Sequence, residues 1–255
     1  MLNIVIPMAG AGSRFAKAGY KDPKPLIEVC GKTMIEIVVD NLRPQQAHKF
    51  IFICQKANVE KYGLQERLTC LAPNCEIIQI DRLTEGAACT VLAASHVIDN
   101  DMPLMIANSD QYIDYSIDDY ITVQSKEGLD GLIMTMTAND PKWSFVGFEE
   151  NSRFVNRVIE KEIISNEATV GIYNFVKGSD FVNAAKAMIK RDERVNGEFY
   201  VAPVYNRLIK EKLYKIGVVN IGSERSGMYG LGIPIDLDFF LTTEIAKTIG
   251  SKVVK

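Results

Sequence analysis

Two glycines and two cations lie close together near the start of the chain. Gly10 and Gly12 follow a short apolar run that ends at Pro7, and Arg14 and Lys24 come soon after them. Glycines let the backbone adopt positive φ and come close to a ligand, and successive N–H groups in such a turn form a concavity for anions. The pattern is typical of a polyphosphate cradle. An ordinary glycine turn with solvated cations fits the same residues.

Two well-known phosphate-binding loops do not fit this segment. The Rossmann fingerprint needs a third glycine where this chain has Phe15, and it needs an acid at the end of the second strand, where the chain has Cys54 and Gln55. A P-loop is closed by Gly-Lys-Ser or Gly-Lys-Thr, and neither closes this glycine loop. The phosphate cradle must therefore belong to another class.

An acid lies directly after a later apolar run. Residues 103–107 have the pattern of a buried strand, and the polar sequence Asn108, Ser109, Asp110, Gln111 follows. Taken alone, Asp110 could be the cap of a helix. If it faces a polyphosphate, however, a divalent cation must lie between the two anions, and Mg²⁺ is typically held by one or two carboxylates plus phosphate oxygens. Asp110 is therefore the candidate metal ligand.

Composition excludes several other classes of function. The 255 residues are 47% hydrophobic, which suits one sizeable α/β domain. Five cysteines, odd in number and without a CxxC pair, indicate free thiols, and His48 and His96 offer little for a zinc site or a histidine relay. A net charge of −3 argues against nucleic acid as the partner. Neither an export signal nor a membrane span is evident, so we expect a cytoplasmic protein without a membrane partner.

The elements that must position these residues alternate along the chain. Strand, helix and strand repeated at short spacing predict a largely parallel sheet covered on both faces. Ligands bind such sheets beyond the carboxyl ends of the strands, so the loops containing Gly10 and Asp110 should open onto the same crevice. The predicted strands are residues 3–7, 49–54, 76–80, 103–107 and 129–138, and the predicted helices begin near Thr33, Asn58, Glu85, Ala202 and Pro234, the last running to about residue 249.

Three N-terminal segments extend the pattern: Gly10-x-Gly12-x-Arg14, Pro23-Lys24-Pro25-Leu26 and Gly31-Lys32-Thr33-Met34-Ile35. Together they resemble the signature of the sugar-1-phosphate nucleotidyltransferases, also called nucleotide-sugar pyrophosphorylases. The resemblance implies an α/β fold with three layers, α/β/α, around a mostly parallel central sheet, the nucleotidyltransferase (glycosyltransferase-A-like) fold. It also implies a single domain over residues 1–255, with 1–138 binding the nucleotide and 139–255 binding the acceptor.

The resemblance assigns roles to the early residues. Arg14 is expected to neutralise the departing pyrophosphate, and Lys24 to stabilise charge on the α-phosphate. Asp110 stands where the family has a metal-binding Asp, so the cofactor is expected to be Mg²⁺, although Ser109 replaces the more usual glycine before it. The backbone expected to hold the triphosphate comprises Ala9, Gly10, Ala11, Gly12 and Ser13.

A second glycine turn is the candidate contact for the nucleobase. Gly86 lies inside a predicted helix start, where a glycine is unfavourable unless something packs against the backbone. In the family, a Gly-x-Ala turn at this place lies over the base. Asp81 and Arg82 occupy the region that often reads the pyrimidine edge, and an acceptor plus a donor match cytosine better than uracil or thymine. The hypothesis is therefore cytidylyl transfer from CTP.

The second half resembles the part of the family that binds the acceptor. Glu160 is expected to bind sugar hydroxyls, Lys161 the acceptor phosphate, and Gly171 to leave room for the sugar ring, whereas a surface ion pair is the alternative for Glu160 and Lys161. Glu198 is a further acceptor candidate or a simple turn residue. Trp143, the only tryptophan, is either a wall of the substrate site or a rim anchor of the core.

The chain departs from the family at two of these places. Glu162 replaces the proline that usually follows the Glu-Lys pair. Gly230 stands where many relatives have a second metal-binding Asp or Asn, so either Asp110 holds the metal with phosphates and waters, or Asp236 or Glu198 contributes.

The implied reaction joins a nucleoside triphosphate to a sugar 1-phosphate, or a similar small phosphorylated acceptor, and releases pyrophosphate. Repulsion between anions and misalignment are the main barriers, so no protein nucleophile is needed. Two alternatives remain. A glycosyltransferase that uses a ready-made nucleotide-sugar usually has an Asp-x-Asp motif, and the loop at Asp110 supplies one acid. A non-catalytic relative that binds nucleotide as a regulator is compatible with Gly230.

Overall fold

The first strand lies in the middle of the parallel half of the central sheet. In a computed structural model, which describes residues 1–253, β1 (Leu2–Pro7) pairs in parallel with a strand on each side. Ile4 and Ile6 belong to one buried cluster and Val5 to another, because successive side chains of a strand face opposite sides of the sheet. Both faces of the sheet are therefore covered, as the sequence predicts.

Within the described part of the chain, 11 strands join one sheet, and β2 and β3 form a separate two-stranded ribbon. The strands after β1 are β2 (Glu28–Val29), β3 (Lys32–Thr33), β4 (His48–Gln55), β5 (Glu76–Ile80), β6 (Leu104–Ala107), β7 (Gln111–Ile113), β8 (Gly131–Thr137), β9 (Ser144–Phe148), β10 (Val155–Glu160), β11 (Glu167–Phe175), β12 (Ile216–Glu224) and β13 (Gly227–Gly230).

The strand order is β5-β4-β1-β6-β11-β8-β12-β13-β7, and β9 and β10 branch off beside β11. The four strands at the start of this order are mutually parallel, so the α/β sheet predicted from the first half of the sequence is confirmed. β11 runs antiparallel to β6 and to β8, and β12 is again parallel to β8. The carboxyl ends of β1 and β6 therefore lie at one edge, next to the amino-terminal half of β11.

Helices cover the sheet on both faces. They are α1 (Ser13–Lys17), α2 (Met34–Leu42), α3 (Lys56–Tyr62), α4 (Leu64–Leu71), α5 (Ala87–Leu92), α6 (Ser95–Ile98), α7 (Ile117–Lys126), α8 (Gly178–Lys190), α9 (Tyr205–Lys212), α10 (Pro234–Leu241) and α11 (Glu244–Val253). Side chains of α2, α3, α4 and α7 pack on the face that includes Ile4, and those of α5, α6, α8 and α9 pack on the face that includes Val5. None of the described helices is long and apolar enough to span a membrane.

The prediction of one terminal helix over residues 234–249 is wrong, because the segment forms two helices, α10 and α11. Thr242 and Thr243 donate their hydroxyls to the carbonyls of Phe239 and Phe240, both at 2.7 Å. The Thr243 hydroxyl oxygen also accepts from the N–H of Ala246 at 3.2 Å, which is the geometry of an N-cap. Local hydroxyl bonds thus end one helix and begin the next.

Removing this cap should loosen α11 without unfolding the domain. Thr243→Ala is expected to cost the helix about 1 kcal/mol, because one terminal N–H loses its acceptor. Hydrogen exchange of the amides in residues 244–253 should become faster. Thr242→Ala is the matched control, since no backbone N–H is found to donate to its hydroxyl; equal exchange rates in the two variants would contradict the cap.

Candidate active site

The two loops beyond β1 and β6 meet through an ion pair. Lys24 begins a short 3₁₀ turn, Lys24–Leu26, directly after Pro23, and Asp110 follows β6. The Nζ atom of Lys24 lies 2.7 Å from Oδ2 of Asp110, although the two residues are 86 positions apart. The backbone carbonyl of Asp110 also accepts from the N–H of Leu231 at 2.8 Å, which holds the main chain at Asp110 against a third loop.

One cavity, here called the glycine-loop cavity, lies on one side of this pair and has a volume of about 410 Å³. Gln55 at the end of β4 donates to the carbonyl of Ala9 at 2.7 Å and holds the loop in place. A side chain added at Gly10 would meet no atom within 4 Å, so the space above this backbone is open. Its lining residues are Pro7, Ala9, Gly10, Ala11, Lys24, Leu83, Thr84, Gly86, Ala87, Thr90, Asn108, Ser109, Asp110 and Glu198.

A second cavity, the acid cavity, lies on the other side of Asp110 and has a volume of about 390 Å³. Arg14 lines the acid cavity and Lys24 lines the glycine-loop cavity, and Asp110 lines both. The amide nitrogen of Gln111 is buried there and has no hydrogen-bond partner in the described chain. The acid cavity is lined by Arg14, Asn108, Asp110, Gln111, Lys142, Trp143, Met228, Gly230, Gly232, Ile233 and Asp236.

Asp236 occupies the space beside Gly230. A Cβ atom built on Gly230 would lie 3.4 Å from Oδ2 of Asp236, and one built on Gly232 would overlap the carboxylate of Asp110. Both carboxylates line the acid cavity. Asp236 is also held by Arg225, whose Nη2 lies 3.3 Å from its Oδ1. The first turn of α10 thus supplies an acid next to the position where the family has one.

A third cavity, the aromatic cavity, lies under β9 and β11 and has a volume of about 280 Å³. Glu160 is buried at its wall and accepts a short hydrogen bond from the hydroxyl of Ser144. The hydroxyls of Thr169 and Tyr173 lie 2.9 Å apart in the same wall. The aromatic cavity is lined by Ala87, Asn108, Lys142, Trp143, Ser144, Glu160, Thr169, Val170, Gly171, Tyr173, Tyr200, Val201 and Ala202.

Burial raises the pKa of Glu160, because desolvation disfavours the carboxylate; the hydrogen bond from Ser144 and the charge of Lys161 act in the opposite direction. When the pKa of a carboxyl group is higher in the folded than in the unfolded state, the fold becomes less stable as the pH rises above the unfolded-state pKa. The buried carboxylate thus destabilises the fold at neutral pH.

Neutralising this group should therefore stabilise the protein at pH 7.5. Glu160→Gln is expected to melt at a higher temperature than the wild type at pH 7.5, and the difference should shrink as the pH falls below the ordinary glutamate pKa of about 4.3, where Glu160 is protonated in both the folded and the unfolded state. Exposed Glu162→Gln is the control and should show no such trend. A lower melting temperature for Glu160→Gln at pH 7.5 would refute the argument.

Lys161 does not line the aromatic cavity. Its side chain is exposed, and Nζ donates to the hydroxyl of Tyr200 at 2.7 Å. That hydrogen bond raises the pKa of Lys161. The residue has φ of 58°, and its N–H donates to the carbonyl of Trp143 at 2.9 Å. Lys161 therefore supports Trp143 and Tyr200, two walls of the cavity, from outside.

The space above Gly171 is filled by a protein side chain. Gly171 has φ of +82°, and a Cβ atom there would overlap the amide group of Asn108. The N–H of Asn108 donates to the carbonyl of Gly171 at 3.0 Å. The glycine thus makes room for Asn108, the residue that lines all three cavities.

Gly86 is explained by a backbone that packs on it. Its φ is +125°, and a Cβ atom would overlap the main chain of Phe199, which bonds to both sides of the turn through the carbonyl of Glu85 (2.8 Å) and the N–H of Ala88 (3.0 Å). The prediction that something packs against the backbone of Gly86 is confirmed, and what packs there is the main chain of Phe199. The contact brings Glu198 into the glycine-loop cavity rather than the aromatic cavity.

Four other predicted residues lie outside the cavities. Asp81 and Arg82 are exposed and do not line the glycine-loop cavity, whereas the next residue, Leu83, does. Gly12 and Ser13 lie beyond the lining part of the first loop; Gly12 has φ of 60° and precedes α1, and its Cβ position lies 3.5 Å from Cβ of Lys24. The expected contact of Gly12 and Ser13 with the triphosphate stays a prediction.

Sequence reasoning missed Asn108 and Lys142 as site residues. The position of Asn108 could have indicated it, because it directly follows a buried strand that ends at the ligand edge of the sheet. Little in the local sequence indicates Lys142, because its ion-pair partner Glu224, 2.6 Å away, is 82 positions later in the chain. A larger groove of about 740 Å³ between α2 and α4 contains no cation or acid of the predicted site.

The described residues contain no group of three or more His, Cys, Asp or Glu side chains that could hold a metal ion by themselves. Asp110 and Asp236 nevertheless supply two carboxylates to one cavity. Mg²⁺ is typically held by one or two carboxylates while phosphate and water oxygens complete its shell. The donor set therefore fits Mg²⁺ bound together with a phosphorylated ligand.

Comparisons with known proteins agree on the architecture. A family model described as nucleotidyl transferase matches residues 4–212. The mannose-1-phosphate guanylyltransferase catalytic subunit beta of Danio rerio is 24% identical over 178 residues, which cover 68% of this chain and 49% of the relative. The chain thus spans about half the length of the curated relatives it matches.

Solved structures are similar over nearly the whole chain. A nucleoside-diphosphate-sugar pyrophosphorylase from Vibrio cholerae RC9 is 28% identical, with a TM-score of 0.80, covering 94% of this chain and 100% of that one. The inositol-1-phosphate CTP transferase of T. maritima is 12% identical, with a TM-score of 0.73, covering 98% and 95% of the two chains; at this identity it shows the fold alone.

Proposed function

The chain belongs to the nucleotidyl transferase family, and on that premise we propose that it joins a nucleoside triphosphate to a sugar 1-phosphate or a similar small phosphorylated acceptor. An oxygen of the acceptor phosphate bonds to the α-phosphorus, the bond from the α-phosphorus to the β-phosphate oxygen breaks, and pyrophosphate leaves. The observation that supports this most is the contact between Lys24 and Asp110 at the junction of the glycine-loop and acid cavities.

The nucleotide and the acceptor would occupy different cavities. The nucleotide would lie in the glycine-loop cavity, whose backbone at Gly10 is open. The acceptor would lie in the aromatic cavity, where Glu160 can accept hydrogen bonds from hydroxyl groups. All but Ala87 and Asn108 of the aromatic cavity lining come from residues after 139, which supports a nucleotide part over 1–138 and an acceptor part over 139–255.

The charges of the chain account for most of the chemistry. An anionic acceptor must approach an α-phosphorus surrounded by anionic oxygens, so positioning and charge stabilisation are what the protein contributes. Lys24 would stabilise charge on the α-phosphate, and Arg14 in the acid cavity would neutralise the departing pyrophosphate. The buried, unpaired amide N–H₂ of Gln111 would donate to a phosphate oxygen there.

We further propose Mg²⁺ as the cofactor, held by Asp110 and Asp236. When bound, the ion supplies charge neutralisation between the carboxylates and the phosphates. Both carboxylates are held in place by ion pairs, Asp110 by Lys24 and Asp236 by Arg225. Glu198 also shares a cavity with Asp110, and we favour Asp236 as the second ligand because its carboxylate lies beside Gly230, where the resemblance places that ligand.

The preferred nucleobase remains a prediction. The sequence favours CTP through Asp81 and Arg82, which precede the cavity-lining residues Leu83 and Thr84. The hydroxyl of Thr84 donates to the carbonyl of Gly86 at 3.0 Å and contacts Thr90, so it is already engaged. Turnover with CTP should exceed that with UTP, GTP or dTTP, and a clear preference for dTTP would contradict cytidylyl transfer.

The proposal is tested by a matrix assay. Each nucleoside triphosphate is combined with Mg²⁺ and with a panel of sugar 1-phosphates and other small phosphates, and pyrophosphate release is measured. We expect release with at least one pair and none with either substrate alone. Nucleotide binding without release would instead favour a regulatory relative. Transfer from a ready-made nucleotide-sugar would favour a glycosyltransferase.

A further inference from the structure

The junction between the aromatic and acid cavities contains one cation that the sequence does not assign. Three residues line both cavities: Asn108, Lys142 and Trp143. Among the residues that the structure describes, Lys142 is the one lysine or arginine lining the aromatic cavity. An acceptor in the aromatic cavity must direct its phosphate towards the nucleotide phosphates, so its anionic end would pass Lys142.

A second unsatisfied donor lies at the same junction. The indole N–H of Trp143 is buried and has no hydrogen-bond partner in the described part of the chain. Buried polar groups of folded proteins are nearly always paired, so an exception beside a cavity points to a ligand atom that accepts there. Lys142 and Trp143 together offer an ammonium and an N–H to an anion at this point.

Acidic side chains hold the ammonium group of Lys142 in place. Its Nζ lies 2.6 Å from Oε1 of Glu224 and 3.6 Å from Oδ2 of Asp140, and it is 4.9 Å from the centre of the Trp143 ring. Burial alone would lower the pKa of Lys142, but the hydrogen bond and charge of Glu224, together with the charges of Asp140 and Asp236, outweigh burial and raise the pKa. An ammonium has three donors, so it can keep Glu224 and still bind a phosphate oxygen.

Lys161, unlike Lys142, lies outside the aromatic cavity. Its Nζ donates to the hydroxyl of Tyr200, and the residue does not line the cavity. We propose that Lys142, and not Lys161, binds the phosphate of the acceptor, with the indole N–H of Trp143 as a second donor. This inference rests on the proposed function. Lys161 is then a positioning residue that supports the Tyr200 wall.

The test compares Lys142→Met with Lys161→Met in steady-state kinetics. The probe is mannose 1-phosphate, or the acceptor of the panel that the wild type uses best. Lys142→Met should raise the KM for the acceptor by about 10- to 100-fold and change the KM for the nucleotide less than threefold, because a hydrogen bond to a charged group is lost only on the acceptor side. Lys161→Met should raise the acceptor KM by less than that.

Two controls separate phosphate binding from a structural effect. The unphosphorylated sugar, used as a competitive inhibitor, should bind Lys142→Met as well as it binds the wild type. Lys177 matches Lys142 in exposure (46% against 45%) and pairs with Asp101 at 2.9 Å far from the cavities, so Lys177→Met should leave all constants unchanged. Lys142→Arg should recover part of the affinity.

The outcomes are distinguishable. An unchanged acceptor KM in Lys142→Met, or an equal rise in both KM values, overturns the role of Lys142 while the enzymatic proposal stands. If the wild type releases no pyrophosphate with any pair, the proposed function fails. Binding of mannose 1-phosphate is then compared directly by ³¹P NMR, and equal affinity in the wild type and Lys142→Met overturns the inference on its own.

Discussion

Asp110→Asn should lower kcat for pyrophosphate release by about 10²- to 10³-fold while the domain stays folded. The asparagine keeps the shape of the side chain but removes the charge that pairs with Lys24 and that would hold Mg²⁺. Since the ion pair is partly exposed, its loss should cost the fold no more than about 1 kcal/mol. Turnover is measured with the best substrate pair, and folding by thermal unfolding.

A matched ion pair provides the control. Asp40 pairs with Lys32, also at 2.7 Å, and lies outside the three cavities. Asp40→Asn should therefore leave kcat within about twofold of the wild type. If Asp110→Asn kept more than a tenth of the wild-type kcat, Asp110 would not be the acid on which the reaction depends.

Arg14→Ala is the second large effect, with an expected loss of about 10²-fold or more in kcat. Arg14 is exposed, and no acid of the described chain lies within the 4 Å of an ion pair, so its removal breaks no salt bridge of the fold. The loss should come from the pyrophosphate side of the reaction. In the reverse direction, the KM for pyrophosphate should rise while that for the nucleotide-linked product changes little.

Lys17 provides the comparison for Arg14, because it lies on the same short helix, is exposed and lines none of the three cavities. Lys17→Ala should behave as the wild type in both directions. Arg14→Lys should recover part of the activity, since a lysine keeps the charge but not the two-pronged hydrogen bonding. Near-normal kcat in Arg14→Ala would count against the assignment of pyrophosphate to the acid cavity.

The contact between Lys24 and Asp110 shows what a sequence can predict. Both residues follow elements that end at the ligand edge of a parallel sheet, and topology alone requires such loops to converge. The apolar run at residues 103–107 predicts its strand for a related reason: a strand covered on both faces is apolar throughout, and every residue of β6 is buried.

Other parts of the site depend on long-range packing that no local pattern encodes. Gly171 is needed because Asn108 fills the space above it, and Gly86 because the backbone of Phe199 crosses it. Asp236 stands beside Gly230 only because α10 turns back on β13. Family resemblance placed Glu198 at the acceptor, whereas the packing of its hairpin on Gly86 puts it in the glycine-loop cavity.

Two alternative functions, a glycosyltransferase and a regulatory relative, are less well supported than nucleotidyl transfer. Membership of the nucleotidyl transferase family argues against a glycosyltransferase that uses a ready-made nucleotide-sugar. The regulatory interpretation rests on Gly230, which stands where many relatives have a second metal-binding acid; the carboxylate of Asp236 lies beside Gly230 and could supply that acid instead. The release of pyrophosphate separates these classes without further structural work.

A crystal structure of the protein with Mn²⁺ and a nucleoside triphosphate tests the central claim most directly. The anomalous signal of Mn²⁺ locates the metal independently of the ligand. We expect a manganese peak within coordination distance of Asp110, with the triphosphate between the Gly10 loop and Arg14. A triphosphate bound elsewhere, for example in the groove between α2 and α4, or a metal remote from Asp110, would contradict it.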